Sequence, residues 1–397
     1  MQTPYLSTRV FIYERQTMRF NSLTKAAVVA VAAVVAITPS AVAVNISGSG
    51  ATSVTNFIEK CKTAYQTATG DVYTYAAGGS GTGIANINAG TVDLAYSDSV
   101  NTTAPATVFH IPAAVWPIAV SYNLNNSASK PLQLSVATVA KIFSGQITKW
   151  NDPAIVADNA RVREIPVYET KAGKPVLDAN GAPKVKSYRK ITVPFTLPNQ
   201  PISVLYRSGT SGTTENFTKA LNGGAPTVWT KAGNSSFTTS NPTDVSTRPG
   251  SFQAYSSSAT ISAANAAQKY SITYVEASFV ASNPGLKSAL IINGGGKTVG
   301  PDALGAGAMF AAADFNDATG IITWKYNTTA PAAYPFTAPT YAMVKTNYGA
   351  EKAAAVKKQV EYMAFDCIKT VTTEPMIEIT KTSDLGKAIL KLTAKIG

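Results

Sequence analysis

The feature that most constrains this chain is a unit that occurs three times: a short apolar strand, a turn rich in glycine, serine and threonine, and then a helical pattern. The three turns lie at 48–53, 77–83 and 207–213. The predicted strands before and around them are 44–47, 72–75, 92–96 and 202–206, and the predicted helices are 54–69, a short one beginning at 84, and 214–221. Strands that alternate with helices favour an α/β fold on mostly parallel sheets.

The three turns share one chemistry. A helix that begins at such a turn directs free N–H groups and the positive end of its dipole toward one point. Serine and threonine hydroxyls add neutral donors, so an oxyanion can be held with few cations. One such turn alone is weak support, because glycine and serine are also common at helix caps, and no Gly-Lys-Ser/Thr sequence closes a P-loop here.

Two charged residues at strand ends sharpen this interpretation. Arg207 ends a predicted strand directly before the third turn and offers planar donors to two oxygens. Asp98 also follows a strand, and its carboxylate would repel a fully ionised anion. It fits a ligand that still carries a proton, as phosphate does near neutral pH and sulfate does not. A structural role for Asp98 as a cap or turn residue stays open at this point.

The amino terminus predicts export. Residues 26–37 are an unbroken apolar run of twelve, preceded by Arg19 and Lys25 and followed by a small-x-small sequence at 41–43. This pattern is typical of a secretory signal peptide and is too short to span a bilayer; a buried helix is the alternative. We predict a signal peptide over 1–43, in which 1–17 is an over-extended start, and a periplasmic or secreted mature protein.

Composition narrows the function classes. His110 is the only histidine, and Cys61 and Cys367 are the only cysteines, which excludes a zinc cluster and leaves one candidate base for Ser-His-Asp chemistry. The net charge of +12 falls to +9 without the signal, which holds four basic residues and one acidic residue. The basic residues are scattered, so nucleic acid is not an expected partner. The two cysteines can form a disulfide in an oxidising compartment or stay buried as free thiols.

Longer motifs carry a family resemblance. They are ISGSGATSV (46–54), AAGGSGTGI (76–84), TVDLAYSDS (91–99), SGQITKWNDPAI (144–155), YRSGTSGTTENF (206–217) and ITYVE (272–276). In order and spacing the chain resembles the periplasmic phosphate-binding proteins of phosphate-specific ABC transporters, over about 45–397. The resemblance implies a two-lobe periplasmic-binding-protein fold (type II), with mixed sheets flanked by helices and a ligand cleft between the lobes. It also implies high-affinity binding of inorganic phosphate, delivery to a membrane permease, no cofactor and a monomer.

The resemblance further implies which residues bind phosphate. They are Thr52 and Ser53 of the first turn, Ser80 of the second, Asp98 as the carboxylate acceptor, and Arg207, Ser211, Gly212 and Thr213 of the third. Lobe one would comprise 45–118 and 341–397, and lobe two 119–340. Cys61 and Cys367 then fall in the same lobe, which favours the disulfide.

The sequence departs from the family pattern in three places. The first turn continues as Thr52-Ser53-Val54 where Thr-Phe-Pro is common, which removes an aromatic ring but keeps the backbone N–H. Gly209 stands where family members can have an acidic residue, so Arg207 lacks that restraining partner. Residues 163–198, rich in lysine and arginine, are predicted as an inserted surface hairpin with a turn at 178–181, which could serve another partner.

Two rival functions belong to other classes. A phosphatase would also be exported and bind phosphate, but it needs an oriented base and a nucleophile or metal. His110 lies in an apolar run, where a packing role is the simpler interpretation. A secreted matrix or adhesion protein could use the same scaffold, because fold alone does not fix function.

Overall fold

The described structure covers most of the mature chain expected from the sequence. The computed structural model describes residues 43–124, 131–193, 196–248, 250–371 and 373–397. The predicted signal peptide lies outside these ranges, apart from residue 43, and so stays a prediction. Among the described helices, none has the length and apolar character needed to cross a membrane.

Strands and helices alternate along most of the chain. The strands are β1 (Asn45–Gly50), β2 (Val72–Ala77), β3 (Leu94–Ser97), β4 (Val108–Asn123), β5 (Gln133–Ser135), β6 (Arg163–Tyr168), β7 (Thr170–Lys171), β8 (Lys174–Pro175), β9 (Val185–Ile191), β10 (Ser203–Arg207), β11 (Phe252–Tyr255), β12 (Ser271–Glu276), β13 (Lys287–Ser288), β14 (Leu290–Ile292), β15 (Thr298–Val299), β16 (Asp314–Asn316), β17 (Ile321–Thr323) and β18 (Thr337–Lys345). The helices are α1 (Thr55–Thr69), α2 (Ser80–Asn88), α3 (Val136–Phe143), α4 (Pro153–Ala160), α5 (Gly212–Gly224), α6 (Phe237–Ser240), α7 (Ser258–Ala267), α8 (Ala277–Ala281), α9 (Ala303–Ala311), α10 (Ala350–Glu361), a π-helical turn (Tyr362–Cys367), α11 (Ile368–Thr370) and α12 (Asp384–Thr393).

The main sheet is mixed. Within the described residues it has nine strands in the order β11-β10-β12-β4-β18-β3-β1-β2, with β13 also paired to β4. Two outer groups are parallel, β10 with β11 and β12, and β1 with β2 and β3. The central pairs of β4, β12, β18 and β3 are antiparallel. The expectation of mostly parallel sheets is therefore wrong for the centre, because a buried strand is an apolar run in either direction.

Strand β4 connects the two parallel groups. Its first part, up to Pro117, pairs with β18, and its second part, from Ile118, pairs with β12. Pro117 has no N–H to donate to a ladder, so it suits the point at which the partner strand changes. In this register β12 ends with Glu276 opposite Ile118, and β3 ends with Ser97 opposite Tyr341 of β18. The carboxyl ends of both parallel groups therefore face each other near the middle of β4.

Most predicted elements are confirmed, with shifted ends. Helix α2 begins at Ser80 rather than at residue 84, and α5 begins at Gly212 rather than at residue 214. The stretch 234–262, in which serine, threonine and asparagine are frequent, contains α6, β11 and the start of α7. Its serine and threonine content hides a strand of which Phe252 is the buried member. The division into lobes 45–118 with 341–397 and 119–340 stays a prediction.

The segment 163–198 contains a surface hairpin, as predicted. Strands β6 and β9 pair antiparallel, and the side chain of Asp178 accepts hydrogen bonds from the N–H groups of Asn180 and Ala182 at 2.8 and 3.0 Å. The predicted turn at 178–181 is therefore confirmed. A second, nested turn between β7 and β8, with Ala172 and Gly173 at φ of 50° and 77°, was not predicted.

A disulfide joins two distant parts of the chain. Cys61 of α1 is bonded to Cys367 at the end of the π-helical turn, 306 residues away, and both residues are buried. The alternative of two free thiols is wrong. Because the bond closes a very long loop, the chain-entropy model assigns it about 5 kcal/mol of stability.

Replacing both cysteines by serine should lower the free energy of unfolding by up to about 5 kcal/mol, because the unfolded chain regains its loop entropy. Denaturant titration of oxidised protein, reduced protein and the double variant measures this effect. Thiol titration of the denatured, unreduced protein is the control and should find no free cysteine. Equal stability of the double variant and the oxidised protein would contradict the expectation.

Candidate functional site

Three helix N-termini meet where the strand ends face each other. Thr52 and Ser53 lie just before Val54, the N-cap of α1. Ser80 begins α2, and Ser211 caps α5 by accepting the N–H of Thr214. The structure brings all the predicted site residues into this region, and all are buried: Thr52, Ser53, Ser80, Asp98, Arg207, Ser211, Gly212 and Thr213. The residues singled out by the sequence patterns thus form one buried cluster.

Gly212 allows α5 to approach the cluster closely. A Cβ atom at this position would lie 2.6 Å from both the Cβ of Asp98 and the Oγ of Ser80, which is closer than real contacts allow. Gly212 and Thr213 open the helix, so their N–H groups have no intrahelical acceptor. The N-terminus of α5 therefore presents backbone donors directly beside Asp98 and Ser80.

Arg207 lies at the end of β10 and is only 3% exposed. Its Nη1 donates to Thr52 Oγ1 at 3.0 Å and to Ser258 Oγ at 3.2 Å, and its Nη2 donates to the carbonyl of Ser256 at 3.0 Å. Its Nε–H is buried and has no acceptor among the described residues. Neutral oxygens therefore restrain Arg207 in place of an acidic partner at Gly209, and a donor of the guanidinium remains available.

Asp98 follows β3, and one of its two carboxylate oxygens accepts hydrogen bonds from neighbouring hydroxyls. Its Oδ1 accepts the hydroxyls of Ser53 at 2.8 Å and Thr340 at 2.7 Å. Thr340 in turn accepts the indole N–H of Trp116 at 2.8 Å, so its own proton points to Asp98. The backbone of Asp98 is also fixed, since its N–H donates to Ser80 Oγ at 3.2 Å. These contacts fix the carboxyl group at the strand ends.

The environment of Asp98 opposes its ionisation. Burial raises its pKa to about 7, the hydroxyl of Thr340 lowers it, and the nearby charge of Glu276 raises it again. Smaller lowering effects come from the hydroxyl of Ser53 and the charge of Arg207. A carboxyl group with such a pKa can hold or release a proton near neutral pH.

Three hydroxyls of the cluster are already used as donors. A serine or threonine hydroxyl donates one hydrogen bond. Ser53 and Thr340 donate to Asp98, and Thr213 donates to Glu276 Oε1 at 2.6 Å. Ser53 and Thr213 can therefore offer a ligand their backbone N–H groups but not their hydroxyl protons.

Other hydroxyls keep a proton. Ser80 and Ser211 each accept a backbone N–H, which leaves their own O–H groups available. Thr52 and Ser258 both accept from Arg207 and share one hydrogen bond of 2.9 Å, so one of their two protons is available. The cluster thus offers neutral hydroxyl donors, backbone N–H groups and one guanidinium to an anion.

Sequence reasoning missed four contributors to this site. They are Thr340 of β18, Glu276 of β12, Ser256 just before α7, and Ser258 at the first position of α7. Glu276 is the last residue of the ITYVE motif. Its position carried a signal, because it is a charged residue at the end of a strand, as Asp98 and Arg207 are. Ser258 carried none, because it lies in a stretch in which serine and threonine are frequent.

His110 has a packing role. Its Nε2 accepts the backbone N–H of Asn101 at 2.9 Å, and its ring packs edge-to-face on Tyr341. Burial lowers the pKa of His110 to about 4, so the ring is neutral near pH 7. This environment does not favour a general base.

Comparison with known proteins decides the family. A family model described as the PBP superfamily domain matches residues 36–366. The chain belongs to this superfamily. Phosphate-binding protein PstS 3 of Mycobacterium tuberculosis is 29% identical over 317 residues, covering 76% of this chain and 74% of the relative. Phosphate-binding protein PstS of Xylella fastidiosa is 29% identical over 305 residues, covering 76% and 72%.

The comparison of structures shows the fold. A phosphate-binding protein from Stenotrophomonas maltophilia superposes with a TM-score of 0.60 at 20% identity, covering 89% of this chain and 94% of that protein. The mixed α/β sheet and its flanking helices are thus those of a periplasmic-binding-protein fold, as the sequence predicted.

Asp98 should make the stability of the ligand-free protein depend on pH. An unfolded Asp titrates near pH ~4, so between there and about pH 7 the folded state binds more protons and stability falls as pH rises. At roughly 1.4 kcal/mol for each pKa unit, the free energy of unfolding should fall by about 4 kcal/mol across this window because of Asp98, and Asp98→Asn should lack this fall. Urea titrations across this pH window, in phosphate-free buffer, measure the difference. Exposed Asp317→Asn is the control, and a constant offset between wild type and Asp98→Asn would contradict the expectation.

Proposed function

We propose that this protein binds inorganic phosphate after export and delivers it to the membrane permease of an ABC transporter. The observation that carries the proposal is a buried cluster that combines anion donors with Asp98, a carboxyl group able to accept a proton. Relatives named phosphate-binding protein support the same ligand. A structural neighbour from Clostridium perfringens, described as a putative phosphate ABC transporter substrate-binding protein with bound phosphate, has the same fold at a TM-score of 0.51.

The donors would surround the phosphate oxygens. Arg207 would bind through its free Nε–H, and Ser80 and Ser211 through their hydroxyls. Backbone N–H groups of Ser53, Gly212 and Thr213 would complete the set at the helix N-termini. A single guanidinium then suffices, because most of the hydrogen bonds come from neutral groups.

Asp98 would select the ligand by its proton. Both HPO₄²⁻ and H₂PO₄⁻ carry a proton that the carboxylate can accept, whereas sulfate carries none. Sulfate would place two unprotonated anions against each other, and like-charge contacts of this kind cost several kcal/mol. Selectivity would therefore come from rejecting the wrong anion as well as holding the right one.

We propose no catalytic activity. A phosphatase needs a base oriented toward a nucleophile or water, and the neutral ring of His110 instead accepts a backbone N–H. A matrix or adhesion role on the same scaffold is not favoured by any particular contact. In the transport role, a monomer would close its two lobes on phosphate, and the closed form would be recognised by the permease.

Calorimetry with phosphate, sulfate and a phosphomonoester tests the function, and Arg207→Ala tests the site. Wild type should bind phosphate and leave the ester intact. The variant loses charge-assisted hydrogen bonds of about 1.5–3 kcal/mol each, so its affinity should fall at least about tenfold. Arg189→Ala on the exposed hairpin removes the same charge and serves as the control. Equal phosphate affinity of Arg207→Ala and wild type would place the site elsewhere.

Asp98→Asn should narrow the ratio of phosphate affinity to sulfate affinity. The amide keeps the shape of the carboxyl group but removes its charge, and its NH₂ can donate to an unprotonated oxygen. The change should come chiefly from tighter sulfate binding. Both anions should be titrated into wild type and variant at one pH and ionic strength. An unchanged ratio would mean that Asp98 is not the selectivity filter.

A further inference from the structure

Glu276 is a second buried carboxyl group at the site. It ends β12, beside the strand that Arg207 ends, and is only 2% exposed. Its Oε1 accepts the hydroxyl of Thr213, in the first turn of α5. The stacked rings of Phe217 and Tyr274, with centroids 4.4 Å apart, hold α5 against β12. The carboxyl group therefore lies between the strand end and the helix N-terminus that face the proposed ligand.

One oxygen of this carboxyl group lacks a partner. Glu276 Oε2 is buried and has no hydrogen-bond donor among the described residues. A buried carboxylate oxygen without a donor is destabilising, so such groups are usually satisfied by protein, by water or by a ligand. The neighbouring hydroxyl of Thr213 cannot serve, since its proton already goes to Oε1.

The charged groups around Glu276 come from other elements. Asp98 after β3 is close enough for the charge of Glu276 to raise its pKa, and Arg207 ends the adjacent β10. On α5, Glu215 is ion-paired with Lys219. The phenol of Tyr274 is bonded to Thr214 and to the N–H of Arg207. Two carboxyl groups and one guanidinium therefore share the site.

We propose that Glu276 Oε2 accepts a second proton of the bound phosphate, so that Asp98 and Glu276 together make the site prefer the doubly protonated monoanion H₂PO₄⁻. The inference rests on the proposed phosphate function. Each carboxylate faces a P–O–H group, and the two remaining phosphate oxygens face Arg207 and the neutral donors. A dianion would leave one carboxylate against an unprotonated oxygen. The complex therefore holds two protons on the ligand.

Proton linkage follows from this count. In alkaline buffer, free phosphate carries one proton, whereas the proposed complex holds two protons on the ligand, so binding must take up about one proton from solution. Affinity for total phosphate should then fall roughly tenfold for each pH unit. In Glu276→Gln the amide oxygen can still accept from Thr213, but its NH₂ donates to phosphate. That variant needs one ligand proton, so its alkaline affinity should be nearly independent of pH.

Calorimetry at about pH 8.5 in two buffers of different ionisation enthalpy measures the proton uptake directly. Wild type and Glu215→Gln should each take up about one proton per phosphate bound, and Glu276→Gln about none. Thermal melts establish that each variant is folded. Should Glu276→Gln not fold, the wild-type measurement still tests the inference, because binding without proton uptake overturns it.

The outcomes separate this inference from the proposed function. A wild type that binds phosphate without proton uptake overturns the inference and leaves phosphate binding intact. Unchanged uptake in Glu276→Gln also overturns it and assigns Glu276 to positioning Thr213. A wild type that binds no phosphate at any pH overturns the proposed function itself.

Discussion

The change of partner along β4 is the constraint on which the rest of the structure depends. Because β18 pairs up to Pro117 and β12 pairs from Ile118, two groups of parallel strands run toward each other. Their carboxyl ends, and the helix N-termini that follow them, then meet at one place. Parallel strands commonly place ligands at their carboxyl ends, and here two such edges share a single site. One backbone arrangement thus brings Asp98 and Arg207, which are 109 positions apart in the sequence, to the same cluster.

The proposed anion site contains little positive charge. Arg207 is the guanidinium of the site, and it is restrained by hydroxyls and a carbonyl rather than by an ion pair. This explains how Gly209 can replace an acidic residue without leaving the arginine unrestrained. It also keeps the charge of the guanidinium free for a ligand, because no carboxylate is bonded to it among the described residues.

Sequence reasoning predicted the fold class and the residues that form the buried cluster, but it did not predict the direction of the central strands. Glycine-rich turns have a local signal, since Gly212 must lack a Cβ and Ser211 must cap a helix, so those residues could be predicted. The antiparallel pairing at the centre of the main sheet could not be predicted. A fully buried strand such as β4 is an apolar run in either direction, and its two partner strands come from distant parts of the chain. Thr340 and Ser258 were missed for the same reason: their roles arise from tertiary pairing with Asp98 and Arg207. Cys61 and Cys367 were few enough to pair by composition, with free thiols left as the alternative.

The two carboxyl groups explain why three hydroxyls of the cluster are already used as hydrogen-bond donors within the protein. Ser53, Thr340 and Thr213 each donate to a carboxylate, and each leaves one carboxylate oxygen, Oδ2 of Asp98 or Oε2 of Glu276, for another donor. Those hydroxyls stabilise buried negative charge that the anion itself would destabilise. A ligand that brings its own protons would resolve the conflict, since it would satisfy both carboxylates while its unprotonated oxygens would contact Arg207 and the helix N-termini. An unprotonated oxyanion satisfies only the donors. On this proposal, the same buried acids that make the empty site costly would make it discriminating, because only a protonated anion would relieve that cost.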